Sequence, residues 1–187
     1  MMSVPLSTLL LLLALTTPAG DPDPPDPELD GIDRTSITLH GGTGISLRND
    51  DTAHIGALAA QRFIRRSVSV VVEVRALDVR RAELSTQGGG TAILGRWHPL
   101  GGRLAPLFAE GGVGGVITGE EVPHGGTSLN FSTHLGGGVD VPLAGRARLM
   151  GGVRWYHASN ANLSRPNPGW DVVYGYLGLA MGVSRGG

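Results

Sequence analysis

His157, Ser159 and Asp171 fall within fifteen residues near the end of the chain, in Trp155-Tyr156-His157-Ala158-Ser159-Asn160 and, after Arg165-Pro166-Asn167-Pro168-Gly169-Trp170, at Asp171. Side chains alternate along an extended strand, so His157 and Ser159 share a face and the imidazole lies within reach of the hydroxyl. The Pro/Asn/Gly-rich segment predicts a chain reversal that brings Asp171 back beside His157. A nucleophile, a base and an acid that orients the base are the groups of a serine hydrolase, and this scheme needs neither metal nor cofactor.

Other candidate chemistry reads differently. Glu120 and Glu121 sit beside Pro123 and Gly125-Gly126, and adjacent residues of an extended chain point apart, so a solvated loop is the better account than acid/base catalysis. His40, His54, His98, His124 and His134 have no metal-ligand spacing. His40 and His134 read as groups that fill an interior. The run Gly111-Gly112-Val113-Gly114-Gly115 lacks the spacing and the following helix of a phosphate loop, and reads as a closely packed strand. Trp155, Tyr156 and Trp170 are expected as interfacial anchors rather than substrate contacts.

The elements that must hold the hydrolase groups are strands. From Thr35 onward apolar residues recur with a period of two, and no run shows the spacing of three and four that marks a helix. Ile37, Leu39, Thr43, Ile45 and Leu47 oppose Ser36, Thr38, His40 and Ser46; Val68, Val70, Val72 and Val74 oppose Ser67, Ser69, Glu73 and Arg75; Leu129, Phe131, Leu135, Val139 and Val141 oppose Asn130, Ser132, His134 and Asp140. Eight such runs are predicted, near 35–47, 54–64, 67–79, 90–98, 104–118, 128–141, 146–159 and 171–184. Longer segments at 48–53, 80–89, 119–127 and 160–170 alternate with short ones at 65–66, 99–103 and 142–145, which puts the long loops at one end.

The expected fold class is therefore all-β, an eight-stranded antiparallel transmembrane β-barrel of the outer membrane, with apolar side chains toward lipid. Glu73, Arg75, Arg96, Glu110, Arg148 and Arg154 would fill its interior as paired charges rather than line a pore. A secreted lipocalin-like barrel and a β-sandwich remain open, and both would turn the apolar face inward. On strand seven, Leu149, Val153, Trp155, His157 and Ser159 share the apolar face and Arg148, Arg154 and Tyr156 the other. In the barrel reading His157 and Ser159 thus point into lipid at the long-loop end, where an enzyme acting on acyl chains of the outer leaflet would need them.

The rest of the chain sets the compartment. Residues 1–19 contain the apolar run Leu6-Ser7-Thr8-Leu9-Leu10-Leu11-Leu12-Leu13-Ala14-Leu15, too short to cross a bilayer as a helix, followed by the small residues Thr17-Pro18-Ala19, and are expected to be a secretory signal. Residues 20–34, with Asp21, Asp23, Asp26, Glu28, Asp30 and Asp33, are expected to form an acidic, Pro-rich flexible leader ahead of the barrel at 35–187. The chain has no Cys, which excludes disulfides, thiolate metal sites and a lipoprotein anchor. Its basic residues are all Arg and are scattered, so no nucleic-acid surface is expected.

The segment His157-Ala158-Ser159-Asn160-Ala161, with Pro166-Asn167, Gly169, an acid at 171 and the lead-in Gly151-Gly152-Val153-Arg154-Trp155-Tyr156, resembles the C-terminal signature of the outer-membrane lipid A 3-O-deacylase family (PagL). The specific matches lie in about the last forty residues; the rest of the strand region resembles the family loosely. The resemblance implies an outer-membrane esterase that hydrolyses the 3-O-linked acyl chain of lipid A, so that lipopolysaccharide is its substrate. It further implies His157 as general base, Ser159 as nucleophile and Asp171 as orienting acid, with Asn167 helping to stabilise the oxyanion and Asn160 a second candidate for that role. Asp171 departs from the family pattern, which has the longer Glu there. The alternative is a noncatalytic barrel with a structural or hydrophobic-ligand-binding role, and the sequence leaves open whether two barrels pair as a homodimer.

Overall fold

The computed structural model describes residues 35–81, 85–99 and 106–183; the expected signal segment 1–19 and leader 20–34 lie outside them. Eight strands follow in order: β1 (Thr35–Ser46), β2 (Thr52–Arg65), β3 (Val68–Arg80), β4 (Thr86–Trp97), β5 (Leu107–Thr118), β6 (Leu129–Pro142), β7 (Ala147–Ser159) and β8 (Trp170–Val183). Each pairs antiparallel with the next, and β1 pairs with β8 to close the barrel. Closure gives every strand two partners, the condition under which a sheet can lie in hydrocarbon.

Which face looks inward is settled by exposure. Val74 and Leu177 are 59% and 65% exposed, whereas their strand neighbours Glu73 and Tyr176 are 1% and 3% exposed. Charges inside and aliphatic side chains outside invert the arrangement of a soluble protein, so the lipocalin-like barrel and the sandwich are excluded and the wall is that of a membrane barrel. His40 and His134 lie inside, as expected.

The interior is filled. Arg154 donates to both oxygens of Glu73 at 2.8 and 3.0 Å and, from Nε and Nη2, to Glu110 at 2.8 and 2.6 Å. Arg75 donates to Glu73 at 2.8 Å, Arg96 to Glu110 at 2.8 Å and to Gln61 at 3.0 Å, and the Tyr176 hydroxyl to Glu110 at 2.9 Å. Fixed, mutually satisfied partners are what allow charges to be buried at all. Toward the long-loop end Ile55, Leu77, Val79, Val122, Trp170 and Val172 form an apolar cap inside the barrel. Glycine makes room for the large groups: a Cβ on Gly152 would sit 2.8 Å from the Tyr176 hydroxyl oxygen.

Two details differ from the sequence reading. The loop asymmetry is carried mainly by 119–128 and 160–169, because Thr86, Gln87, Gly88 and Gly89 join β4, which begins four residues earlier than expected. At the opposite end β5 begins at Leu107 among the described residues, three positions later than expected, next to Pro106, which has no N–H for the ladder.

Candidate functional site

The β7–β8 hairpin aligns His157 with Asp171 as direct cross-strand partners. Both point outward, and the two side chains join through His157 Nδ1 and Asp171 Oδ1 at 2.8 Å. A carboxylate can only accept, so the ring proton belongs on Nδ1 and the Nε2 lone pair is left free. Ser159 follows two residues on, on the same face, at the last position of β7. Among the described residues Ser159 and His157 make no hydrogen bond to each other; bonds of this kind often tighten only when substrate is bound.

The surroundings fix the imidazole on several sides. Trp155, on the same face, stacks on it with ring centroids 5.8 Å apart and planes at 21°. Thr133 lies opposite on β6. Gly169 closes the space above: its φ is +64°, and a Cβ there would be 3.1 Å from His157 Cε1. Only glycine takes this backbone conformation freely and also leaves room for the ring.

The two candidate asparagines are both in the loop that joins the hairpin. Asn160 is buried, and its side chain is fully engaged: Nδ2 donates to the carbonyls of Ser164 and Pro166 at 3.1 and 3.3 Å, and Oδ1 accepts the Asn162 N–H at 2.9 Å. These bonds hold a loop in which Ala161 and Asn162 adopt φ of 53° and 63°, a conformation that costs an L-residue about 1–2 kcal/mol. Asn167 accepts the Asn160 backbone N–H at 3.1 Å and donates one amide hydrogen to Asn162 at 3.3 Å, which leaves its second amide N–H uncommitted among the described residues. The geometry thus separates the pair, with Asn160 bound up in the loop and Asn167 retaining a donor.

Tyr156 and Trp170 are not interfacial anchors. Both are 1% exposed and pack edge to face inside the barrel, 5.8 Å apart. Strand alternation requires this, since their neighbours His157 and Asp171 face out.

Arg48, in the loop 47–51, was not among the sequence candidates. Its Nε donates to Asp171 Oδ2 at 2.7 Å and its Nη1 to the Pro168 carbonyl at 3.1 Å. The Leu47 N–H donates to the Asp171 carbonyl at 2.8 Å. No local motif marks Arg48. The available signal is topological, because barrel closure places the β1–β2 loop beside the β7–β8 loop, and Arg48 is the only cation in 47–51.

Fold and site together define a small outer-membrane-type β-barrel that carries a polar cluster on its lipid-facing wall. The profile of the family described as lipid A 3-O-deacylase (PagL) matches residues 40–180. The chain belongs to this family of lipid A deacylases. Among solved structures, the crystal structure of the outer membrane enzyme PagL is similar over 75% of this chain and 97% of its own, with a TM-score of 0.63 and 16% identity. OprG from Pseudomonas aeruginosa is similar over 83% and 99% respectively, with a TM-score of 0.47 and 15% identity. AlkL, determined in lipid bilayers, is similar over 90% and 99%, with a TM-score of 0.49 and 11% identity. No curated protein sequence matches the chain.

Proposed function

We propose that this protein is a serine esterase that resides in the outer membrane after export on the signal in residues 1–19, and that removes the 3-O-linked acyl chain of lipid A. The observation that carries the reading is the His157–Asp171 hydrogen bond on the lipid-facing wall, with Ser159 beside it, in a chain of the lipid A deacylase family. With the long-loop end outward, as is usual for such barrels, the cluster meets the outer leaflet, where lipopolysaccharide resides. An ester within a lipid would reach Ser159 without leaving the membrane.

In the proposed reaction His157 Nε2 takes the Ser159 proton as Oγ attacks the ester carbonyl. Asp171 holds the ring and stabilises the imidazolium that forms. The free Asn167 N–H is the side-chain donor assigned to the oxyanion in this scheme. Collapse of the tetrahedral intermediate releases the sugar hydroxyl, which takes the proton from His157, and water, activated by the same imidazole, then frees the fatty acid from Ser159.

The test is mass spectrometry of lipopolysaccharide incubated with the purified protein in detergent. Loss of one 3-linked acyl group, matched by free fatty acid, is expected; intact lipid A would favour a noncatalytic barrel. Gly169→Ala should slow the same release by about 10- to 100-fold, because displacing a catalytic ring by up to an ångström costs on that order. Its barrel should still show a heat-dependent shift in gel mobility, and an unchanged rate would show that the ring does not need the space that Gly169 provides.

A further inference from the structure

Asp171 uses both carboxylate oxygens, one toward His157 and the other toward Arg48. We infer that Arg48 is a positioning residue for the hydrolysis proposed above, on whose reading of Ser159 and His157 it rests: it locks the plane of the Asp171 carboxylate against the imidazole. A carboxylate held at one oxygen can still turn about its terminal bond, which is a broad torsion. A second hydrogen bond on the opposite oxygen removes that freedom. Aspartate is one methylene shorter than glutamate, so an acid at 171 has little slack with which to find the ring, and a fixed carboxylate matters more.

Three contacts of the 47–51 loop converge here. Arg48 binds Asp171 through Nε and the Pro168 carbonyl through Nη1, and the neighbouring Leu47 N–H binds the Asp171 carbonyl. Pro168 directly precedes Gly169, the residue packed on the imidazole. The clamp therefore fixes both the acid and the segment above the ring. The Arg48 side chain is 60% exposed and that of Asp171 10%, so the pair is half-screened by solvent, and without Arg48 the acid still keeps its hydrogen bond to His157. Loss of this contact should accordingly appear in the rate and not in the fold.

The test compares kcat and KM for release of fatty acid from lipopolysaccharide in detergent by the wild type, Ser159→Ala, Arg48→Ala, Arg48→Lys and Arg48→Ala combined with Asp171→Glu. Arg48→Ala should lower kcat by about 10- to 100-fold, with KM changed less than twofold and heat-dependent mobility unchanged. Lysine should restore part of the loss, and the longer acid should restore part of it without any cation at 48. In proton NMR the His157 Nδ1–H signal should be sharp in the wild type and broadened in Arg48→Ala, a readout independent of turnover. An unchanged kcat with an unchanged Nδ1–H signal would overturn the inference. So would a loss confined to KM, which would make Arg48 a contact for an anionic group of the substrate. If Arg48→Ala matches an active wild type while Ser159→Ala is inert, only the role of Arg48 falls. If wild type and Ser159→Ala are equally inert, the esterase reading falls and the role of Arg48 in hydrolysis falls with it.

Discussion

Ser159→Ala and His157→Ala are each expected to lower ester hydrolysis by about 10⁶-fold, with the double variant no slower than either alone, because the proposed nucleophile and base act in one step. Asp171→Asn is expected to cost about 10⁴-fold. The geometry gives the reason. Arg48 is a donor and needs an acceptor on the atom that faces it, so the amide oxygen of the variant would turn toward Arg48 and its NH₂ toward His157. Nδ1 would then accept, the ring proton would move to Nε2, and no lone pair would remain for the Ser159 hydroxyl. Initial rates of fatty acid release from lipopolysaccharide, with heat-dependent gel mobility as the control for folding, measure these effects. Multiplying losses in the double variant would mean that Ser159 and His157 do not work together.

Arg154→Ala should destabilise the barrel by about 3–5 kcal/mol, the usual cost of removing one partner from a buried charge network. Arg154 is fully buried and, among the described residues, is the one side chain that bonds both Glu73 and Glu110. Without it Glu73 keeps Arg75 and Glu110 keeps Arg96, but each carboxylate loses two hydrogen bonds and the link between the two pairs is gone. The urea midpoint for loss of the compact gel form should fall, and adding Glu110→Gln should lower it further, because buried Arg96 would then lose the carboxylate it binds. An Arg154→Ala barrel as resistant to urea as the wild type would show that the network adds nothing to stability.

The strand pattern was legible because period-two alternation survives whichever face is inside. Alternation alone could not choose between lipid and core on the apolar side, and this kept the soluble barrel and the sandwich open. The decisive feature is that the opposite faces carry charges able to satisfy one another. Those pairings join positions as distant as Glu73 and Arg154, 81 residues apart, and such partners meet only once the sheet has closed. The His157–Asp171 contact was readable for the opposite reason, since one hairpin makes it. The positions of Tyr156 and Trp170 also followed from alternation, but the preference of aromatics for membrane interfaces pointed the other way, and the register prevailed. Arg48 was hidden because its partner lies on the last strand and it sits on the loop after the first.

That position ties the polar cluster to the state of assembly. His157, Ser159 and Asp171 belong to a single hairpin and can come together while the first strand is still elsewhere. The contact from Arg48 to Asp171 exists only when β1 has met β8. A chain still being inserted, or one whose first strand has pulled away, carries the hairpin without the grip on its acid. The join between the two ends of the sheet therefore acts as an interlock, through which completion of the wall and completion of the cluster become the same event.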